Sequence, residues 1–415
     1  MSSRGTVKVA AVQAAPVSFD LTKSLEKLTS LAARAAKGGA DLIVFPEAFL
    51  SAYPWRYAFD ATVGAREPRG REWYRRYYDS AVAIPSPEVD VIKEVAQTHN
   101  VYLQVGIIEK EGGTLYCTAL LFGRDGSILL KHRKLQLIPT AAERLVWGRG
   151  AGDGLGVVQT DIGKIGTLIC WENYMPAARM ALYQQGVEIY LAPTADDLPT
   201  WTASMQHIAK EGRCFVVTVN SMTKVSDFPA DYPPFTPEHP DRRPDGEQWE
   251  AGDIVNHGGS FVAGPLGARL TEPLWDEEGI VFADLPMSAV TESRLDFDPV
   301  GSYSRPDIFT LTVNTKPGTS HAASPTLHIT YRATGRVIKG AKVSPAKLGS
   351  FGTAASSSGP VHGAMAMPSP FRDLLVGDAL QNNGVSAGKI ASHPEPFGVT
   401  KPTTTLVVWG NMAIT

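Results

Sequence analysis

Short apolar runs, closed by turn residues and separated by helical or polar stretches, fill the first 315 residues of the chain. The first run, residues 7–12, precedes a segment with Leu21, Leu25, Leu28, Leu31 and Ala35. Spacings of three and four put these five on one face of a helix. A second run, 42–45, is stopped by Pro46, and others follow at 101–108, 115–122, 165–169, 188–192, 214–219 and 280–283. Runs of this length bounded by turn signals predict buried strands. Asp125-Gly126 between two such runs predicts a hairpin, and Asp161 to Gly163 a second turn. Hairpins interleaved with helical crossovers predict an α/β protein with mixed sheets, not a purely parallel one.

Two stretches break the pattern. Residues 224–252 turn polar and hold six prolines (229, 233, 234, 237, 240 and 244), which predicts a long surface loop. Residues 316–415 hold 12 glycines, 9 prolines and 10 serines. That composition predicts a low-complexity, largely disordered tail after a folded domain over 1–315. Charge divides at the same place, with 9 basic and 3 acidic residues in the tail against 30 and 39 before it.

With 415 residues, 43% of them hydrophobic, the chain can bury a sizeable core. A net charge of −3 offers no footprint for nucleic acid. No apolar run approaches the ~20 residues that span a bilayer, and no basic helix suggests a membrane surface. Lys8 interrupts the only apolar stretch near the start, so a secretory leader is not expected. Three cysteines with no close pairing point to a reducing compartment. A cytoplasmic protein is the expectation.

Cys170 is the best nucleophile candidate. It closes the run 165–169 and opens Cys170-Trp-Glu-Asn-Tyr-Met-Pro176, where Asn173 can cap a helix starting near Pro176. A thiol at a strand end beside a helix N-terminus is held rigidly and favours its thiolate. Cys117 and Cys214 sit inside apolar runs and read as small buried hydrophobes. A cysteine nucleophile needs a proton acceptor and a stabiliser of developing negative charge. Two further strand ends supply them: Glu47 after Val44-Phe45-Pro46, and Lys134 in Lys131-His-Arg-Lys134. Tyr53, Trp55, Trp171 and Trp201 lie near these segments, so Tyr53, Trp171 and Trp201 are candidate walls of an apolar substrate pocket.

Glu47 in Phe45-Pro-Glu-Ala-Phe49, Lys134 in His132-Arg-Lys134 and Cys170 in Cys170-Trp-Glu-Asn173 resemble the Glu–Lys–Cys triad of the nitrilase superfamily. The spacings of 87 and 36 residues are in keeping with it. Segments 139–144, 146–148, 192–195 and 300–306 are similar to those of the true nitrilase branch. The resemblance covers residues 7–313 and stops short of the tail. It implies a four-layer αββα sandwich, homo-oligomers built from dimers that extend into spirals, and no metal or organic cofactor. It further implies a small-molecule nitrile substrate, hydrolysed to acid and ammonia through a Cys170 thioimidate and thioester. Glu47 would act as base, Lys134 as the cation at the developing nitrogen anion, and Glu143 as the second glutamate that holds the lysine. Related readings are cyanide hydratase, an amidase, or a non-catalytic oligomeric scaffold. The chain departs from the pattern in having four residues, Leu135-Gln-Leu-Ile138, where two usually precede the Pro-Thr pair.

Three other signals carry no chemistry. Gly384-Val-Ser-Ala-Gly388 matches a serine-hydrolase elbow but lacks the strand and helix that give the pattern meaning. The glycines of 148–156 fit neither phosphate-loop spacing, and the nine histidines form no zinc motif.

Overall fold

The computed structural model describes residues 5–316, so beyond Lys316 the expected disordered tail lies outside the described residues. The chain runs β1 (Thr6–Gln13), α1 (Leu21–Lys37), β2 (Leu42–Val44), α2 (Pro68–Asp79), β3 (Val82–Ala83), α3 (Pro87–His99) and β4 (Tyr102–Glu111). It continues through β5 (Thr114–Phe122), β6 (Ile128–Arg133), the short α4 (Glu143–Val146), β7 (Val157–Thr160), β8 (Gly163–Thr167) and α5 (Pro176–Gln184). Then come β9 (Ile189–Thr194), α6 (Pro199–Gly212), β10 (Phe215–Asn220), β11 (Met222–Lys224) and β12 (Ile254–Ala263). The short β13 (Leu274–Trp275), β14 (Gly279–Pro286) and α7 (Ser288–Glu292) follow.

The strands form two seven-stranded mixed sheets. The first is ordered β14-β1-β2-β4-β5-β6 with β3 on β4, the second β11-β12-β10-β9-β8-β7 with β13 on β12. Pairings β1–β2, β2–β4, β8–β9 and β9–β10 are parallel, while hairpins such as β5–β6 and β7–β8 are antiparallel. The predicted hairpin and the second predicted turn are therefore both present.

Strand alternation shows how the layers stack, because successive side chains face opposite sides of a sheet. On β1, Ala10 and Val12 pack under α1 and α3, whereas Val9 and Ala11 face the second sheet. On β10, Val217 and Val219 face the first sheet, whereas Val216 packs under α6 with Trp201, Met205 and Ile208. Three apolar layers thus alternate with four layers of backbone, giving the αββα sandwich. Local chemistry fixes the helix ends. The Asp20 carboxylate accepts from Lys23 N–H at the start of α1, and Ser86 caps α3 ahead of Pro87. Leu28, Leu31, Ala32 and Ala35 form the buried face of α1, while Leu21 and Leu25 pack at its margin.

Two expectations change. The ten-residue strand β12 has no place among the apolar runs, since Asn256, His257 and paired glycines interrupt it. Segment 224–252 is not a plain surface loop. It buries Phe228, Tyr232, Pro233 and Pro234, and the first two join Tyr57 and Trp73 in an aromatic cluster. Tyr232 and Trp73 meet edge to face at 5.4 Å, and the Tyr232 hydroxyl donates to the Trp55 carbonyl at 2.8 Å. Proline and polarity marked irregular backbone there, but aromatic burial decides where it lies.

Candidate active site

The topology sends three functional groups to one place from two sheets. β6 is parallel to β2, because each is related to β5 or β4 by pairings whose directions combine that way, so both strands end at the same edge. Glu47 follows β2 and Lys134 follows β6, both in the first sheet. Cys170 follows β8 in the second.

A glycine makes the Glu47 loop possible. Phe45 N–H donates to Gln104 O and Leu50 N–H to Gly106 O, so the chain leaves the ladder with β4 and rejoins it five residues later. The loop lies directly on Gly106, where an added Cβ would stand 2.1 Å from Pro46 O and 2.9 Å from Glu47 Cα. Gly106→Ala is therefore expected to push Glu47 off its position, lowering kcat about 100-fold and stability by roughly 1–3 kcal/mol. Activity and a thermal melt on the same preparation check it; near-wild-type kcat would mean the loop has room to move.

Lys134 is fully buried. Its Nζ donates to Glu47 Oε1 at 2.7 Å and to Glu143 Oε1 at 2.9 Å. Glu143 opens α4; its Oε2 accepts from Ile138 N–H at 2.8 Å and its Oε1 from the Tyr53 hydroxyl at 2.9 Å. Of the four residues after Lys134, Leu137 and Ile138 are buried and Leu135 and Gln136 half-buried, and Glu143 still reaches the lysine. Burial works against the Lys134 ammonium, but the Glu47 and Glu143 carboxylates outweigh it and hold the charge. Burial also raises the Glu47 carboxyl above its ordinary value; Lys134 opposes this and Glu143 reinforces it. One oxygen of Glu47 is saturated by Lys134 and by the Cys117 thiol at 3.4 Å. The other, Oε2, is buried with no hydrogen-bond partner.

Cys170 opens a 3₁₀ turn, Cys170–Tyr174, at φ +50, in the left-handed region that non-glycine residues seldom adopt. Its sulfur accepts from the Thr194 hydroxyl at 3.2 Å. Two details differ from expectation. α5 starts at Pro176 as expected, but Met175 stands at its cap; Asn173 instead donates to Leu168 O and Cys170 O and accepts from Tyr190, bracing the turn. The thiol is not shifted toward thiolate. Burial and the Glu47 carboxylate push it up, and Lys134 only partly offsets them.

Among the described residues, no three His, Cys, Asp or Glu gather closely enough to hold a metal ion, and no helix is long and apolar enough to cross a membrane. The family profile for carbon-nitrogen hydrolase matches residues 8–295. The chain belongs to the carbon-nitrogen hydrolase family. This hydrolase is 46% identical over 319 residues to nitrilase 2 of Arabidopsis thaliana, covering 76% of the chain and 91% of that relative. It is 45% identical to nitrilase blr3397 of Bradyrhizobium diazoefficiens, over 75% of the chain and 93% of that relative. A bifunctional nitrilase/nitrile hydratase of Lupinus angustifolius is also 45% identical, with 75% and 87% covered. In solved structures, the carbon-nitrogen hydrolase of Helicobacter pylori G27 shares the fold at TM-score 0.55 and 22% identity, covering 74% and 97%. Nit3 of Saccharomyces cerevisiae, in branch 10 of the nitrilase superfamily, does so at 0.54 and 21%, covering 72% and 97%.

The hydrolase distributes its aromatic candidates unevenly. Tyr53 reaches the site through Glu143 and packs on Trp55 and Trp147. Trp171 adjoins Cys170 but is partly exposed, its indole donating to Asp196 at 2.8 Å. Trp201 is buried in the layer beneath α6, and its indole donates to Thr218 at 2.8 Å. Helical spacing turned it toward the core.

Cys117 was missed. Its alternation with Leu115 and Ala119 correctly marks an inward face, but that face is the floor of the site. Counting back from the Asp125-Gly126 turn would set Tyr116 opposite Lys134. A bulge between Leu121 and Phe122 shifts the ladder by one, and Cys117 O accepts from Lys134 N–H instead.

Proposed function

We propose that this hydrolase converts organic nitriles to the carboxylic acid and ammonia, with Cys170 as nucleophile, Glu47 as base and Lys134 as the stabilising cation. The observation that supports it best is the division of labour within the Glu47 carboxylate. One oxygen is committed to Lys134 and Cys117, and the other is buried and free to take a proton. A carboxylate whose pKa is raised by burial is a better base near neutral pH than an exposed one.

In this reading the Cys170 thiol stays neutral until substrate arrives. Glu47 takes its proton as sulfur attacks the nitrile carbon, and the nitrogen is protonated by Lys134, leaving a thioimidate. Lys134 regains its proton from Glu47. A water molecule, deprotonated by Glu47, adds to the thioimidate carbon. Breaking the C–N bond, with protonation of nitrogen, releases ammonia and leaves a thioester. A second water hydrolyses the thioester to the acid and restores the thiol. Glu143 and Tyr53 keep the Lys134 side chain aligned throughout, and Trp171 lines the entrance.

The tetrahedral intermediate can also break at its C–S bond, which would release the amide. Wild type given aliphatic and aromatic nitriles, amides and cyanide is expected to release acid and ammonia from at least one nitrile, with amide in the minority. Amide alone would assign a hydratase, turnover of amides only an amidase, and silence on all of them a scaffold. We assign the activity to residues 1–315, in a cytoplasmic homo-oligomer built from dimers that extend into spirals.

A further inference from the structure

The proposed reaction needs groups from two sheets to meet at one carbon. Glu47 and Lys134 are carried by the first sheet and Cys170 by the second, and the layer between them is mostly apolar. Apolar packing is non-directional, whereas a misplacement of about 1 Å in a reacting group can cost 100-fold in rate. A directional link between the sheets would meet that need.

His132 and Glu172 form one. His132 lies on β6, two residues before Lys134, and Glu172 lies two residues after Cys170. Both are fully buried, and His132 Nε2 is 2.8 Å from Glu172 Oε2. The other ring nitrogen, Nδ1, is 3.0 Å from Gly154 O. Glu172 Oε2 also accepts from Ile169 N–H at 2.6 Å, and its Oε1 accepts from Leu135 N–H. One carboxylate therefore grips the residue before the nucleophile and the residue after the lysine, as well as His132. A ring with a carbonyl oxygen on one side and a carboxylate on the other donates from both nitrogens, as imidazolium does. Burial disfavours that charge on His132, but Glu172 outweighs burial and raises the imidazole pKa.

We propose that the buried His132–Glu172 ion pair is the positioning device that locks the two sheets in register, holding Lys134 at working distance from Cys170. The inference rests on the roles proposed above for those two residues. Replacing a buried ion pair with apolar residues of similar volume is often neutral or stabilising, so stability alone is a weak reason for this one. Its bonds cross between sheets at the ends that carry the reacting groups, which is what a register lock requires.

The test compares wild type with His132→Gln, His132→Leu, Glu172→Gln and the double variant His132→Leu/Glu172→Gln. It measures kcat and KM on a hydrolysed nitrile, the rate of Cys170 alkylation by iodoacetamide read by peptide mass spectrometry, and the melting midpoint. His132→Leu and Glu172→Gln are each expected to lower kcat about 100-fold, with KM within about threefold. His132→Gln keeps a donor toward Glu172 and should fall between. The double variant should be no worse than the poorer single, since the two residues act as one unit. Wild-type kcat per folded site with only a lower midpoint, or losses that multiply in the double variant, would overturn the inference. If His132→Leu does not fold, His132→Gln and Glu172→Gln carry the same comparison. If wild type hydrolyses no nitrile, the proposed function fails separately. Alkylation then decides: slower modification in the variants supports the register lock, and an unchanged rate overturns it.

Discussion

Cys170→Ala is expected to abolish release of both acid and ammonia, a loss of at least about 10⁴-fold in kcat, while the protein remains folded. The sulfur forms the covalent bond in the proposed sequence, and no other thiol can replace it. Cys214 is buried in the layer beneath the second sheet, and Cys117 donates to the oxygen of Glu47 already held by Lys134. The fold should tolerate the change because alanine removes one buried atom and keeps the strained φ of +50 that the turn already imposes. A shift of about 1 kcal/mol or less is expected, comparable to the loss of one buried methyl group. Acid quenching during turnover offers a direct check: wild type should carry an acyl adduct on the peptide containing Cys170, and the variant none. Turnover near the wild-type rate in the variant would remove Cys170 from the mechanism.

Lys134→Met should be as damaging to activity and far more damaging to stability. The ammonium is the shared partner of Glu47 and Glu143, and all three side chains are buried. Removing it leaves two carboxylates facing each other without a cation, a change of the kind that costs about 3–5 kcal/mol. Catalysis loses its only described cation bonded to the base, and a fall of at least about 10³-fold in kcat is expected. The stability defect has a pH signature. Burial already raises the Glu47 carboxyl, and loss of Lys134 removes the charge that opposes this. A folded-state pKa above the unfolded one means stability is retained at low pH and lost as pH rises through the folded value. The gap in melting midpoint between variant and wild type should therefore be smaller at pH 5 than at pH 8. An equal gap at both would show that the carboxylates are not left uncompensated.

Much of this architecture was legible in the residues. Apolar runs closed by Pro46 or by Asp125-Gly126 marked buried strands and their connections, because a strand covered on both faces can hold few polar residues. The same runs stopped at Glu47, Lys134 and Cys170, which made those three conspicuous, and the resemblance to nitrilases joined them into one site. β12 was not legible, because Asn256 and two glycines serve buried contacts that no local pattern requires. Nor was the burial of segment 224–252, whose aromatic partners Tyr57 and Trp73 lie more than 150 residues away.

By itself, the sequence determined the α/β class, the strand ends, the residue types at them and the family, since these depend on neighbours along the chain or on motifs read whole. Only the tertiary structure decided that Cys170 is a buried neutral thiol and not a thiolate poised by a helix. It alone turned Trp201 to the core, set Cys117 opposite Lys134 through a one-residue bulge, and left a single oxygen of Glu47 free. It also brought His132 and Glu172 together across two sheets. Burial, charge coupling and register are properties of groups far apart in sequence, and the field at Cys170 is the sum of residues that meet only when the two sheets close on each other.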